Sequence, residues 1–368
     1  MDFVYAPTVV QISFRLVPVC NIFETLGLMQ AVEELSGMNP WIYETVSHLP
    51  EDVRITNGLI NRAGGWHLVA EADPQLLERE FPEFLAWLES LAPEKMREIM
   101  AGWMIDIPGD KTPPTLDEIF SSRDVMMGQV SKMVAHKQSL KDYDYTTDGF
   151  DEVFLLMQDP SVLKARVLEH LHWVWENVLR EEWEHKLPQL QASVEAYQQL
   201  DFQNLTALEA VRTITGRDLS NTGWEWSQTD LVFIPSPHIG PYIGRFDSGD
   251  NKRSYVMFGV RQPPQTRGYS PELTRAELTP RLTALADDTR LQILETLAQH
   301  DELYAQDIMN MLDLTQSAAS RNLRQLVATG YLVERRRETA KCYSINRERV
   351  DETMRALRRL LRKKGASA

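Results

Sequence analysis

The stretch from Leu314 to Tyr331, LTQSAASRNLRQLVATGY, constrains the fold of this chain more than any other. Thr315 is a residue type that caps the amino terminus of a helix, and Gly330 is a type that ends helices in a left-handed conformation. Four apolar residues between them recur at the spacing of a buried helical face: Ala319, Leu323, Leu326 and Val327. The sequence therefore predicts an amphipathic helix of about four turns.

The opposite face of this predicted helix is polar and basic. With the capping residue, it carries Thr315, Gln316, Ser317, Ser320, Arg321 and Arg324. Hydroxyl, amide and guanidinium groups bind the base edges and phosphates of duplex DNA. We therefore expect this face to contact DNA. The base-reading candidates lie in its amino-terminal turns: Gln316, Ser317, Ser320 and Arg321.

The flanking segments complete a helix-turn-helix with a wing. A shorter apolar stripe at Ile308, Met309 and Leu312 precedes the helix, and Asp313 is a residue that tolerates a left-handed turn. After the helix, residues 331–336 and 341–345 read as two strands of a hairpin. Its basic residues are expected to contact phosphate or the minor groove, with a merely solvated hairpin as the alternative: Arg335, Arg336, Arg337 and Lys341.

From about Leu282 to Val350 the chain resembles winged-helix repressors of the ArsR/SmtB family. The resemblance rests on ALADDTRLQILETLA, on LTQSAASRNLRQLVATGYL and on the hairpin ending KCYSI. It implies DNA binding and a homodimer paired through a terminal helix at 347–364, although a solvated basic tail remains the alternative. Such a dimer would place two recognition helices in successive major grooves of a pseudo-palindromic operator, about 34 Å apart.

The resemblance does not carry over metal sensing. Metal-sensing members often have a Cys pair in the first helix of the helix-turn-helix, where this chain reads ELYAQD at 302–307. The terminal helix also lacks the His and carboxylate spacing of the family's other metal site. We therefore expect no metal and no cofactor.

Charge is distributed unevenly along the chain. Residues 315–368 hold 14 basic and 5 acidic residues, whereas residues 1–270 hold 22 basic and 39 acidic residues. An acidic body repels nucleic acid, so DNA contact is expected only at the basic carboxyl end. The two cysteines, Cys20 and Cys342, suit a reducing compartment. With neither a signal peptide nor a membrane-spanning run expected, the sequence predicts a cytoplasmic protein without membrane contact.

The larger part of the chain is expected to be a mostly helical domain with a small antiparallel sheet, which makes the whole fold α+β. Residues 9–17 alternate as a strand does, and residues 224–233, 242–246 and 254–261 read as three more. Helices are predicted in between, with a long one from Pro160 to about Leu200 interrupted at Pro188. The expected helix starts are at the capping residues Asp73 and Asp159, each followed by a proline, and at the pairs Thr115 with Glu118 and Thr206 with Glu209. We expect a regulatory domain at 1–262, a stiff linker at 263–277 and the winged helix at 278–368.

Three features of the amino-terminal part admit a functional interpretation beside a plain structural one. A methionine-rich face around Met126 and Met133 fits a ligand surface or, more commonly, core. His172 with Glu176, and Glu182 with His185, have the spacing of half a metal site or of a solvated helix face. His238 lies in the turn PSPHIGPYIG, where it could line a pocket or have no specific role.

Together these observations predict a sequence-specific transcriptional regulator, of repressor type, whose amino-terminal domain senses a non-metal ligand or a partner. The alternative is an enzymatic or partner-binding amino-terminal domain with an accessory winged helix. No nucleophile motif, phosphate loop or cluster of metal ligands stands out in the sequence, so no catalytic residue is proposed. We therefore expect a regulator and not an enzyme, with a small-molecule effector as a possible partner.

Overall fold

The computed structural model describes residues 10–140, 148–202, 205–217, 219, 229–250, 252–260, 275–337 and 340–361. The side chains of 137–140, 275–277 and 336 are outside this description. Most of the predicted linker, together with the end of the terminal helix beyond Leu361, lies outside the described residues. The architecture agrees with the predicted α+β class.

Among the described residues, the first strand, β1 (Gln11–Phe14), is followed by a run of twelve α-helices. They are α1 (Pro18–Gln30), α2 (Pro40–His48), α3 (Glu51–Arg62), α4 (Gly65–Glu71), α5 (Pro74–Leu77), α6 (Phe81–Ser90), α7 (Pro93–Ala101), α8 (Leu116–Ser121), α9 (Arg123–Leu140), α10 (Phe150–Met157), α11 (Pro160–Val174) and α12 (Arg180–Gln198). A thirteenth, α13 (Ala207–Thr215), completes the helical body before the chain enters β2 (Asp230–Ser236).

The predicted helix starts are confirmed where the sequence supplies a cap. Asp73 accepts a hydrogen bond from the backbone of Gln75, and Asp159 accepts from Ser161 and Val162. Thr115 with Glu118, and Thr206 with Glu209, form capping boxes in which each side chain binds the other's backbone N–H. These caps depend on residues three positions apart, so the sequence alone predicts them.

The long helix is irregular at a different place from the one expected. Pro188 lies inside α12 without interrupting it, and the irregularity is a π-helical turn at Trp175–Leu179 between α11 and α12. A π turn accommodates one extra residue and rotates the helix beyond it. Here the π turn accompanies the burial of Trp175, Leu179 and Trp183 in the hydrophobic core of the helical body. The positions of prolines in the sequence do not indicate such an effect of packing.

The amino-terminal sheet contains the four expected strands but not the expected pairing. With β3 (Ile243–Asp247) and β4 (Arg253–Gly259), the strand order is β1-β2-β4-β3. β3 pairs antiparallel with β4, whereas β2 is parallel to both β1 and β4. The prediction of a wholly antiparallel sheet is therefore wrong for this part, because the helical body between β1 and β2 is a long crossover, the connection that parallel strands need.

Two hydrophobic cores lie on opposite faces of this sheet. The larger one joins α1, α3, α6, α7 and α11 to one face of β2 and β4, and contains the fully buried Phe81 and Phe84. The second packs α13 and part of α12 against the other face, around Phe14, Tyr197 and Phe233. The methionine-rich face of α9 contributes Met126 and Val130 to the larger core, which agrees with its structural interpretation.

The carboxyl-terminal elements have a core of their own. They are α14 (Arg275–Leu285), α15 (Asp288–Ala298), β5 (Leu303–Tyr304), α16 (Ala305–Leu312), α17 (Gln316–Ala328), β6 (Leu332–Arg337), β7 (Ala340–Ile345) and α18 (Arg347–Leu360). Ile293, Ile308, Leu326 and Tyr331 are among the buried residues of this cluster. The short strand β5, which pairs antiparallel with β7, was not predicted, because two residues are too few to show a pattern.

Among the described residues, no helix has the length and apolar character needed to cross a membrane.

His170 on α11 gives the helical body a predictable response to acid. It is 5% exposed and lies 3.3 Å from the amide oxygen of Asn57, and burial lowers its pKa to about 4. In the unfolded chain this histidine has its ordinary pKa near 6.5 and therefore takes up a proton more readily than in the folded protein. The free energy of unfolding therefore falls by about 3 kcal/mol in all as the pH drops from about 6.5 to about 4. Replacing His170 by Gln should flatten this part of a pH series of denaturant melts, whereas replacing the exposed His300 should not; equal slopes would contradict the assignment.

Candidate DNA-binding interface

The start and end of α17 have the geometry that its sequence predicts. Asp313 adopts a left-handed conformation with φ of 51°, and is the only non-glycine residue with positive φ among those described. The Thr315 hydroxyl accepts a hydrogen bond from the backbone N–H of Ala318 at 3.3 Å. Gly330 has φ of 82°, so a side chain at that position would be strained. The turn and the cap together fix how α17 leaves α16.

The two faces of α17 divide as expected. Ala319, Leu323 and Leu326 are buried, and Val327 packs partly buried against the same cluster. Thr315, Gln316, Ser317 and Arg321 are exposed, and Ser320 is half-buried. A polar surface at the amino-terminal end of the helix is therefore available to a partner.

A buried arginine that the sequence analysis did not single out holds α17 in place. Arg290 on α15 donates to the carbonyl oxygen of Ala284 at 2.6 Å, to that of Thr283 at 3.1 Å and to the Asn322 side chain of α17 at 3.3 Å. Asn322 in turn donates to the carbonyl of Ala318. Its only sequence signal was a basic residue within an apolar helix. The network ties α17 to the last turn of α14.

Among the described side chains of the wing, one basic residue is exposed and two form ion pairs with glutamates. Arg335 is exposed, and the side chain of Arg336 lies outside the described residues. Arg337 forms an ion pair with Glu302 at 2.8 Å, and Lys341 forms one with Glu334 at 2.9 Å. In these pairs only Arg337 is well exposed, whereas Glu302, Lys341 and Glu334 are partly buried, so Arg335 and Arg337 are the wing cations most accessible to phosphate among the described side chains.

Arg324 differs from the other polar residues of α17 because it contacts the amino-terminal part of the chain. It is half-buried and donates to the carbonyl oxygen of Glu34 at 3.4 Å, with the Glu34 carboxylate 3.8 Å away. Gln325, the residue after Arg324 in α17, is buried, and its side chain accepts a hydrogen bond from the Ser36 hydroxyl. Residues that follow α1 therefore pack directly on the predicted DNA-binding helix, a long-range contact that no local pattern predicts.

Two further hydrogen bonds connect the amino-terminal part with the winged-helix elements. Arg217 donates to the carbonyl oxygen at the end of α17, on Ala328, and Arg349 of α18 donates to the carbonyl of Gly216 at 2.9 Å. Beside these contacts lies a cleft of about 2150 Å³, lined on one side by α1 and β3 and on the other by α17 and the wing. Ser320 and Arg324 are among its lining residues.

In the part of the chain that the structure describes, the two histidine and glutamate pairs of the long helix do not form metal sites, because their side chains interact with other residues. His172 lies 2.9 Å from Glu89, and Glu176 pairs with Arg180. Glu182 lies 2.9 Å from His238 and 3.6 Å from His185. Among the described residues there is no group of three or more potential ligands that could hold a metal ion.

His238 lies inside the protein, between α1 and α12. Its ring is 3.0 Å from the Thr25 hydroxyl and 2.9 Å from the Glu182 carboxylate, and it stacks on Trp41. This row of hydroxyl, imidazole and carboxylate has the order of a catalytic triad, in which a nucleophile is followed by a base and by the carboxylate that orients the base. The adjoining cavity, however, measures only about 10 Å³, which is room for one water molecule at most. Burial lowers the pKa of His238, while Glu182 acts in the opposite direction.

Comparison with known proteins concerns the carboxyl-terminal part. Residues 287–333, from the cap of α15 into the wing, match the family model described as bacterial regulatory protein, arsR family. The chain carries an ArsR-family winged helix-turn-helix. The matched segment is thus a DNA-binding module of regulatory proteins, and the large amino-terminal region lies outside the family match.

A solved structure is similar to part of this chain. It is entitled a possible transcriptional regulatory protein, fragment 1–100, from Mycobacterium bovis. The two share 31% sequence identity over 23% of this chain and 90% of that one, with a TM-score of 0.20.

Proposed function

We propose that this chain is a sequence-specific repressor whose winged helix binds a pseudo-palindromic operator as a homodimer. The observation that carries the proposal is the exposed amino-terminal half of α17, with Gln316, Ser317 and Arg321 on its solvent side. These residues, with Ser320, would read bases, and Arg335 to Arg337 and Lys341 would contact phosphate or the minor groove. Thr315 would position the first turn against the backbone.

The proposed dimer contact is α18. Its last described residues, Leu360 and Leu361, are 55% and 74% exposed. Large apolar side chains this exposed at the end of a helix favour burial against a second copy. The exposed Arg358 and Arg359 lie beside them, so pairing would place positive charge at the centre of the dimer.

We further propose the domain division 1–262 and 278–368, and assign regulation to the first part. The separate core of the winged elements supports this division. Contacts of Glu34 and Ser36 with α17 support a competition in which the amino-terminal part and the operator both require the same helix. A ligand shifts such a balance only through its different affinity for the two states.

The contacts on α17 lead to a prediction about basal affinity. Glu34→Gln combined with Ser36→Ala should raise operator affinity about 3- to 30-fold, because a partly exposed ion pair contributes up to about 1 kcal/mol and a hydrogen bond about 1 kcal/mol. Fluorescence anisotropy with labelled duplex measures the change. Glu33→Gln, at an exposed neighbouring position, is the matched control. Unchanged or weaker binding of the double variant would refute the competition.

The function itself is tested by selecting genomic DNA fragments bound by the purified full-length chain and titrating the selected duplex against salt. A dimer that neutralises several phosphates should show a steep fall of affinity with salt and a strong preference over unrelated duplex. Absence of any preferred sequence would refute the proposal. We assign a cytoplasmic location without membrane contact, and no enzymatic activity, as parts of the same proposal.

A further inference from the structure

The cleft between the amino-terminal part and α17 contains a buried carboxyl group for which the described residues supply no counter-ion. Glu24 on α1 lines the cleft and is 6% exposed. Among the described residues, neither of its oxygens has a hydrogen-bond partner. Burying a carboxyl group in this way is costly and rare in folded proteins. The position is therefore one that a bound group would satisfy.

The electrostatic surroundings indicate which kind of group would suit this position. Burial raises the pKa of Glu24 to about 8, and the Ser236 side chain acts in the opposite direction. No described cation affects this carboxyl. Its other polar neighbour is the buried Cys20, whose pKa is raised by burial and by Glu24. A ligand would therefore supply the positive charge itself.

Two glycines leave the space beside this carboxyl free of side chains, so that only a small movement is needed to reach its buried oxygens. Gly27 lies one turn after Glu24 on the face of α1 that lines the cleft, and a Cβ at this position would be 3.7 Å from Trp66 Nε1. Gly244 lies opposite on β3, where a Cβ would be 3.7 Å from Glu24 Oε1. A side chain at either position would occupy space directly beside the carboxyl group or the indole.

The walls of the same region are aromatic. Trp66 and Phe246 both line the cleft, with ring centroids 5.2 Å apart in a tilted arrangement, and Tyr242 lies on the same side. Arg245 also lines the cleft but is paired with Asp247 at 2.9 Å. Aromatic faces attract organic cations through their quadrupoles. The combination of one buried acid with aromatic walls is suited to an amine that carries an aromatic or apolar body.

We propose that the cleft binds a small organic amine, with its ammonium group on Glu24 and its apolar body against the exposed edges of Trp66 and Phe246, which line the cleft. The site is the effector site of the proposed regulator, so its effect on DNA rests on the proposed function. The same cleft is lined by Ser320, Leu323 and Arg324 of α17. An occupant would thus lie in a cleft whose opposite wall is α17, and through that wall it could shift the contact of Glu34 with Arg324.

Calorimetric titration of the full-length chain without DNA tests the site. The probes are 2-phenylethylamine and its neutral analogue 2-phenylethanol. The amine should bind at least tenfold more tightly than the alcohol. It should also release a proton at neutral pH, because a protonated Glu24 must ionise to pair with it. Equal binding of the two probes, or binding of neither, would overturn the proposal.

Variants locate the binding. Glu24→Gln should weaken amine binding at least tenfold without lowering the melting temperature, and Glu33→Gln should leave it unchanged. Gly244→Ala is a second, milder variant, because its Cβ would meet Met257 and Ile239 at ordinary contact distances of 3.4 and 3.5 Å. It should weaken the amine about fivefold. Full amine affinity in either cleft variant would place the amine elsewhere and refute the assignment.

The coupling is measured separately, by anisotropy of the selected duplex with and without 2-phenylethylamine. A change of DNA affinity in the wild type that disappears in Glu24→Gln supports an effector site. If amine binding requires Glu24 but DNA affinity does not respond, the binding site stands and its regulatory role fails. If no duplex is preferred at all, the proposed function fails independently of the site.

Discussion

Replacing Arg321 by Ala should lower operator affinity about 5- to 150-fold and relax the preference for one base position. Arg321 is exposed in the second turn of α17, where a guanidinium reaches base edges in the major groove. A bidentate contact of this kind contributes about 1 to 3 kcal/mol of discrimination. Anisotropy titrations against the selected duplex and single-base variants of it measure both effects.

Arg335→Ala is the matched comparison, because it removes the same charge from the exposed wing. Removing a phosphate-binding group there should weaken binding to all sequences alike and reduce the salt slope by about one unit. If the two variants show the same fall in affinity and the same change in specificity, the division between base-reading helix and phosphate-binding wing is wrong.

Replacing Leu326 by Ala should destabilise the winged helix by about 2 to 5 kcal/mol. The side chain is fully buried in the core of the carboxyl-terminal elements, and removing it leaves a cavity beneath α17. Denaturant melts should show an early transition for this part, and DNA binding should disappear at the same denaturant concentration. The helical body around Phe81 should melt as in the wild type.

Leu360→Ala serves as the control, since this leucine is 55% exposed. Its effect on the melt of an isolated monomer should be within about 0.5 kcal/mol. A Leu326→Ala protein that melts in a single transition with the helical body would mean that the two parts unfold together, against the proposed domain division.

The amino-terminal part contacts the carboxyl-terminal half of the predicted DNA-binding helix through polar interactions. Glu34 to Arg324 is a partly exposed pair, and Ser36 to Gln325 is a single hydrogen bond. Contacts of this size are weak enough for a ligand or an operator to displace. Small differences in the binding free energy of a ligand in the adjoining cleft can therefore change how often these contacts are formed.

The sequence by itself determined the features that depend on neighbours along the chain. Thr315 and Asp313 define the turn and the start of α17, and the spacing of Ala319, Leu323 and Leu326 defines its buried face. The caps at Asp73, Thr115 and Thr206 were predicted in the same way. All of these rest on hydrogen bonds or packing within about one helical turn, so local residue type decides them.

Only the tertiary structure decided the features that join distant segments. The parallel pairing of β1 with β2, the π turn before Trp183 and the row from Thr25 to Glu182 depend on how the helical body packs. The contact of Glu34 with Arg324, and the burial of Glu24 away from the described cations, depend on residues far apart in the chain. Their surroundings are selected by burial and shape in three dimensions, for which a single sequence carries no periodic signal.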